Sequence, residues 1–223
     1  MTGMMNIQPT LETELLFWDK GHTYIAGLDE AGRGAWAGPV YAAAVVLPLV
    51  DEVPDALREI RDSKTLSARQ REAAFEQISA SALALGIGWA TAEEIDARGI
   101  VPATRLAMRR ALKALDVTVD ALIIDALALP TVALAQRSFP RADAHSLSVA
   151  AAGITAKVSR DRWMAADAEC DFPGYGFAQH KGYGTAKHRT ALDDLGPCPI
   201  HRQTFRPIAK RLAAKQMLKG SDS

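Results

Sequence analysis

The chain has 223 residues, 48% of them apolar, with 26 basic and 26 acidic side chains and a formal net charge of zero. That fits one large soluble domain and excludes a partner held by bulk electrostatics, so any nucleic-acid binding needs its basic groups segregated on one face. No run approaches the roughly 18 apolar residues that span a membrane, no signal peptide is visible, and Cys170 and Cys198 show no CxxC spacing, so the expected compartment is the cytoplasm with both thiols reduced.

Residues 1–22 read as a leader with a helical turn around Leu11 to Trp18. Tyr24 to Leu28 reads as a first strand and Val40 to Leu47 as its antiparallel partner, joined by a glycine-rich loop that opens on Asp29 and Glu30. Leu49 to Arg61 is a connector with a short charged helix, and Asp62 to Ser67 a turn whose last residue caps a helix from Ala68 to Leu83. Leu85 to Ala92 is a third strand, with Thr91 capping a short helix through Ala97. Pro102 opens a helix to about Leu115. Ala121 to Asp125 is a continuous apolar strand of the kind covered on both faces, and a short strand is expected around Gln136 to Arg141. Ser146 to Ala168 is a long helix whose small residues let it sit close to a sheet. Gly174 to Thr185 is a glycine- and aromatic-rich loop, followed by helices at Ala186 to Leu195 and Pro207 to Leu218, with the last few residues disordered. A strand meander followed by alternating strands and helices implies a mixed sheet packed by helices.

Acidic side chains stand where apolar segments end: Asp29 with Glu30, Asp125, and Asp143 before the long helix. Alone, Asp125 reads equally as a turn cap, and Asp143 reads first as a helix N-terminal carboxylate. Brought to one end of a sheet, they repel, since two charges ~4 Å apart at an effective dielectric of ~20 cost about 4 kcal/mol. Cations relieve this, and an oxygen-only donor set favours Mg²⁺ or Mn²⁺ over Zn²⁺. Two such ions, roughly 4 Å apart, clamp the attacking and leaving oxygens of a phosphodiester.

The segment GLDEAGRGAWAGPV resembles the signature of type 2 ribonuclease H, the bacterial ribonuclease HII family. DSKTLS at 62–67, RGIVPATRLAMRRAL at 98–112, IID at 123–125, ADAHSLSVAAAGITAKVSRD at 142–161, GYGFAQHKGYGTAKH at 174–188 and LGPCPIHRQTFRPI at 195–208 match in order, so the likeness runs from about Tyr24 to Ile208. It implies an α/β ribonuclease H-like fold, a five-stranded mixed sheet flanked by helices, in a catalytic domain of residues 23–208 with a C-terminal helix and tail at 209–223. It also implies a Mg²⁺- or Mn²⁺-dependent endonuclease that cuts the RNA of RNA–DNA hybrids and nicks 5′ of ribonucleotides embedded in duplex DNA, leaving 3′-hydroxyl and 5′-phosphate ends. The family's four catalytic, metal-holding acids fall on Asp29, Glu30, Asp125 and Asp143. The chain departs from the family pattern at Ala126 and Ala142, where glycine is usual, and at Gly153, where serine is usual.

Such an enzyme must sense a 2′-hydroxyl, and Gly32-Arg33-Gly34 suits this, because glycine permits close backbone approach and Arg33 can grip a phosphate. The resemblance assigns Tyr183 to stacking beside the ribonucleotide. Lys64, with Ser63, is either a phosphate contact or part of a solvated turn. Lys181, Lys187 and Arg189 are further phosphate candidates, whereas Arg105, Arg109, Arg110 and Lys113 read first as solvated helix surface. The five histidines fit no zinc spacing, and His188 and His201 are expected to bond the loop backbone. A binding module that kept the fold would have lost an acid, and the loop lacks the GKS or GKT ending of a phosphate-binding P-loop. A monomer is expected.

Overall fold

The computed structural model describes residues 8–50 and 52–220. The first seven residues of the expected leader, and the last three of the tail expected to be disordered, lie outside them. Helix α1 (Glu12–Trp18) leads into β1 (Ile25–Ala31), which pairs antiparallel with β2 (Val40–Val46). Helix α2 (Ala68–Ser81) starts at Ser67, whose hydroxyl accepts from the Gln70 N–H while the Gln70 side chain returns to the Ser67 N–H, a reciprocal capping box. Strand β3 (Ala84–Ala90) joins β2 antiparallel, and helices α3 (Ala92–Arg98) and α4 (Ile100–Lys113) follow. Strands β4 (Ala121–Asp125) and β5 (Ala135–Phe139) add parallel on the other side of β1, completing a five-stranded mixed sheet in the order β3-β2-β1-β4-β5. Helix α5 (Leu147–Ala165) crosses the sheet, and the short helices α6 (Asp167–Asp171) and α7 (Phe177–His180) lead to α8 (Ala186–Leu195) and α9 (Arg206–Gly220).

Strand β1 is central because it pairs with β2 on one edge and β4 on the other, and both faces of the sheet are covered. On one, α5 approaches so closely that a Cβ at Gly27 would lie 2.3 Å from the Ser148 carbonyl carbon. On the other, α4 packs against β2 and β3, and Gly86 and Gly88 face the Ala111 and Ala107 carbonyl oxygens at distances no Cβ would tolerate, 2.1 and 2.3 Å. The glycines that allow both approaches are on the strands, complementing the small residues of α5. Leu28 and Ile124 are fully buried with Ile95 and Met108 on the α4 side, while Val45, Leu57, Ile78 and Ile154 fill the α5 side.

Several expected boundaries move. Asp29 and Glu30 lie inside β1 rather than in the loop after it, because β2 continues beside them and pairs Ala43 with Asp29 and Ala42 with Glu30. β3 stops at Ala90, since Thr91 caps α3, and β5 stops at Phe139, before Pro140. α4 starts at Ile100, with Pro102 inside its first turn, where a missing N–H breaks no helical bond. The long helix breaks at Ala166, with φ −100° and ψ −78°, before α6. Within the expected loop from Gly174, residues 177–180 form one helical turn.

Candidate active site

The parallel pairing of β1 with β4 sets Leu28 opposite Ile124, so Asp29 and Asp125 follow at the same level at the C-terminal end of the sheet. Asp29 is buried, and its Oδ1 accepts the Glu30 N–H at 2.7 Å. Asp125 Oδ1 accepts the Ala142 N–H at 2.9 Å, which holds the 3-10 turn Ala142–Ala144 over the end of β4 and brings in the buried Asp143. Arg33 Nη1 donates to Glu30 Oε1 at 2.9 Å, and Lys64 Nζ donates to Asp143 Oδ2 at 3.4 Å. The backbone after Asp125 takes the left-handed conformation at Ala126, φ 55°, where the family pattern has glycine.

Burial pushes the Asp29 carboxyl well above the usual carboxylate range, and the charges of Glu30, Asp125 and Asp143 push it further. Burial also raises Glu30, opposed by the hydrogen bond and charge of Arg33. Asp125 rises through burial, with the Ala142 N–H opposing and Asp143 adding to it. For Lys64, burial favours the neutral amine, but Asp143, Asp62 and Asp29 outweigh it and raise its pKa. Asp29, Glu30 and Asp125 therefore each feel the charge of at least one other acid of the set.

These residues fit a hard divalent cation. The donors are all carboxylate oxygens, and Glu30 Oε2 is buried with no hydrogen-bond partner. The set is not closed in advance: among the described residues no three Asp, Glu, His or Cys side chains are already gathered as a metal-binding group. Arg33 and Lys64 instead occupy two of the four acids.

The loop after β1 is shaped for approach from outside. Gly32 has φ +91°, whereas a Cβ at Gly34 would meet nothing within 4 Å. The Gly32 and Arg33 carbonyls both accept from the buried Arg202 guanidinium at 2.8 Å. Among the described residues the Arg33 and Gly34 amides, like that of Gly32, donate to no protein acceptor, so they are among the loop's free donors. Tyr183 is half-buried, with Lys157 Nζ and Arg160 Cζ each 5.5 Å from its ring centre. Its loop docks on the first one: Trp36 N–H donates to Gly182 O at 2.8 Å, and a Cβ at Gly184 would strike the Trp36 ring. Gly32-Arg33-Gly34 and Tyr183 thus belong to two loops in direct contact.

The turn carrying Lys64 is held by Arg71, which donates to the Ser63 carbonyl at 2.9 Å. Other phosphate candidates are engaged locally. Lys181 Nζ bonds Ala178 O at 2.5 Å, Lys187 Nζ bonds Gln179 at 2.6 Å, and Arg189 bonds Gly184 O at 3.0 Å. Arg110 forms a fork with Glu94 on exposed helix surface, away from the acids. His188 Nδ1 meets the Tyr183 carbonyl at 3.0 Å, and its Nε2 meets His201 Nε2 at 3.0 Å. His201 Nδ1 in turn accepts the Cys198 N–H. This chain is satisfied by two neutral rings, and burial first, then neighbouring histidine charge, pushes both down to about 4. The sequence reading missed Lys157, Arg160 and Arg202. Two cations at i, i+3, following the small and apolar first turns of α5, were the available signal for the first two.

The chain matches the family model for ribonuclease HII over residues 26–208. It is 55% identical over 205 residues to the ribonuclease HII of Chloroflexus aurantiacus, covering 92% of this chain and 96% of the relative. Among solved structures, ribonuclease H2 from Pyrococcus horikoshii superposes with a TM-score of 0.71 at 24% identity, covering 86% of this chain and 99% of that one. Bst-RNase HIII, solved in complex with Mn²⁺, superposes with a TM-score of 0.61 at 20% identity, over 88% of this chain and 71% of that one. These two likenesses bear out the ribonuclease H-like fold.

Proposed function

The chain belongs to the ribonuclease HII family, and we propose that it nicks duplex DNA on the 5′ side of embedded ribonucleotides as well as cutting the RNA strand of hybrids. Membership makes it a type 2 ribonuclease H, a divalent-metal-dependent phosphodiester hydrolase acting on RNA–DNA hybrids. In the proposed reaction water attacks phosphorus, the bond to the preceding 3′-oxygen breaks, and the products carry a 3′-hydroxyl and a 5′-phosphate. Its role would be to start ribonucleotide removal from DNA.

Asp29, Glu30, Asp125 and Asp143 would hold two Mg²⁺ or Mn²⁺ ions, which when bound supply a water activated for attack and neutralise charge on the leaving oxygen. The remaining work falls to the chain's own groups. The free amides of Arg33 and Gly34 donate to the 2′-hydroxyl oxygen. Tyr183 stacks on the neighbouring nucleotide, an interaction typically worth about 1–3 kcal/mol. Arg33 and Lys64, at the rim of the acids, grip phosphates. One chain contains the whole set, which supports a monomer, and the two free cysteines suit the reducing cytoplasm. Among the described residues no helix is long and apolar enough to cross a membrane.

The observation that carries this reading is the open space over Gly34, beside the strand that holds Asp29 and Glu30. The test is cleavage of a labelled duplex with one embedded ribonucleotide, with and without Mg²⁺ or Mn²⁺, followed by analysis of the product ends. Metal-dependent nicking 5′ of the ribonucleotide is expected. Intact duplex, with a matched all-RNA hybrid cut normally, would sink the proposal.

A further inference from the structure

Arg160 and Arg202 are fully buried. A buried charge is normally met by an opposite one, yet every hydrogen bond these two donate goes to a backbone carbonyl. Arg202 donates to Gly32 O, Arg33 O and Gly38 O at 2.8, 2.8 and 3.0 Å. Arg160 donates to Pro39 O, Ala37 O and Lys181 O at 2.9, 3.0 and 3.0 Å. Five of these six carbonyls belong to the segment 32–39, and the sixth lies two residues before Tyr183. Burial, then the neighbouring Arg160 charge, pushes the Arg202 guanidinium down to about 9, consistent with cations held by dipoles alone.

We propose that Arg160 and Arg202 are positioning residues for ribose recognition, locking the Gly32–Pro39 loop and the Tyr183 loop into one rigid sensor set against the catalytic acids. This rests on the reading of Gly32-Arg33-Gly34 and Tyr183 as substrate contacts. The planar guanidinium suits the task, because its three separate nitrogens, Nε, Nη1 and Nη2, each meet a different carbonyl, whereas the donors of a lysine radiate from one atom. Arg202 fastens the loop tip: with the Gly32 and Arg33 carbonyls turned onto it, the Arg33 and Gly34 amides remain as donors. Arg160 fastens the two loops to each other and lies over the Tyr183 ring. It also projects from α5, the helix whose Gly153 leaves room for Asp29, with a hypothetical Cβ only 2.4 Å from Oδ2. One helix therefore registers the sensor against the acids. The Tyr183 end is fixed independently: Gly182 N–H donates to His180 Nδ1 at 3.2 Å, and the Tyr183 carbonyl meets His188.

The test uses Arg160→Lys and Arg202→Lys, which keep the charge but lose the fork, in single-turnover cleavage of a duplex with one embedded ribonucleotide. Tyr183→Ala and Gly34→Ala run beside them. Misplacement of a sensor by about 1 Å costs up to ~100-fold in rate, so both lysine variants are expected to lose roughly 10- to 100-fold in the maximal single-turnover rate, with the enzyme concentration for half that rate changed much less. Native-state hydrogen exchange provides a second readout. In the wild type the Trp36 and Ala37 amides, which bond Gly182 O, are expected to exchange only by global unfolding, and in Arg160→Lys by fast local opening. Folded lysine variants with wild-type rate and protection, while Tyr183→Ala and Gly34→Ala lose activity, overturn the clamp alone. Full activity in Tyr183→Ala and Gly34→Ala overturns the substrate-contact reading and the clamp with it. Fast local exchange of Trp36 and Ala37 in the wild type overturns the clamp even where the variants do not fold.

Discussion

Gly32 and Gly34 look alike in sequence, and the structure separates them. A Cβ at Gly32 would enter a backbone held at φ +91° and would lie 2.0 Å from Arg160 Nε. The left-handed conformation costs a non-glycine residue about 1–2 kcal/mol. Arg160 cannot retreat without weakening its bonds to Pro39, Ala37 and Lys181. One charge-assisted bond lost is worth about 1.5–3 kcal/mol, so Gly32→Ala is expected to destabilise the fold by about 3–5 kcal/mol. At a few degrees per kcal/mol for a chain of this size, the melting temperature drops by roughly 10 °C. At Gly34 the added Cβ meets nothing, so Gly34→Ala is expected to stay within about 0.5 kcal/mol of the parent.

Activity is expected to run differently from stability. If substrate comes within hydrogen-bonding distance of the Gly34 amide, the new methyl group obstructs it, and single-turnover cleavage falls ~10- to 100-fold in a protein that melts normally. Urea or thermal unfolding with cleavage of a singly ribo-substituted duplex, on both variants, measures the contrast. Wild-type cleavage by Gly34→Ala would refute the approach of substrate at that amide. Equal destabilisation by the two substitutions would refute the account of Gly32.

Asp29→Asn removes one charge from the buried cluster, so it is expected to hold or raise the melting temperature while abolishing metal-dependent cleavage; a variant that cleaves normally is inconsistent with a ligand role. Ala126→Gly relieves a left-handed backbone worth about 1–2 kcal/mol and adds about 0.5–1 kcal/mol of unfolded-state entropy, for a net gain of up to about 1 kcal/mol, read by denaturant titration. The His188–His201 pair has folded pKa values of about 4 against an ordinary 6.5, so the unfolded chain takes up protons first. The pair's stability contribution is full above pH 6.5 and declines as pH falls toward 4. His188→Gln is expected to flatten that decline relative to the parent, and parallel pH–stability curves would show that the rings are not held neutral.

The positions of the acids at the ends of apolar segments were legible because apolar runs and carboxylates mark them locally, whereas the order of the strands was not. ALIID ends where Asp125 must stand, and GLDE places its acids at the same end once β1 and β4 are parallel. The helix caps at Ser67 and Thr91 were equally legible, since capping is a short-range bargain between residues i and i+3. What was hidden depends on distant pairings. Asp29 and Glu30 read as loop residues because the extension of β1 is supplied by β2. The carbonyl-bound arginines were illegible for a related reason: backbone carbonyls carry no sequence signature, and Arg202 reaches the loop from about 170 residues away.

The two cations at the rim of the acid cluster bear on how substrate and metal bind. Arg33 now neutralises Glu30 and Lys64 now neutralises Asp143. Both are also the residues proposed above to grip phosphates. The Lys64 side chain is 77% exposed, so its ion pair is of the weak kind, on the order of 1 kcal/mol or less, and is easily exchanged. A phosphate that draws Arg33 and Lys64 away frees Glu30 and Asp143 for a divalent cation, and a cation that occupies those acids frees the side chains for phosphate. Substrate and metal are then expected to tighten each other's binding by equal factors, as linkage requires. Lys64→Ala removes one half of the exchange: Mn²⁺ is expected to bind the free variant up to ~5-fold more tightly, and an uncleavable all-DNA duplex to improve that affinity less than in the parent. Calorimetric Mn²⁺ titration with and without the duplex measures both quantities, and a parent Mn²⁺ affinity indifferent to duplex would show that Arg33 and Lys64 do not exchange partners.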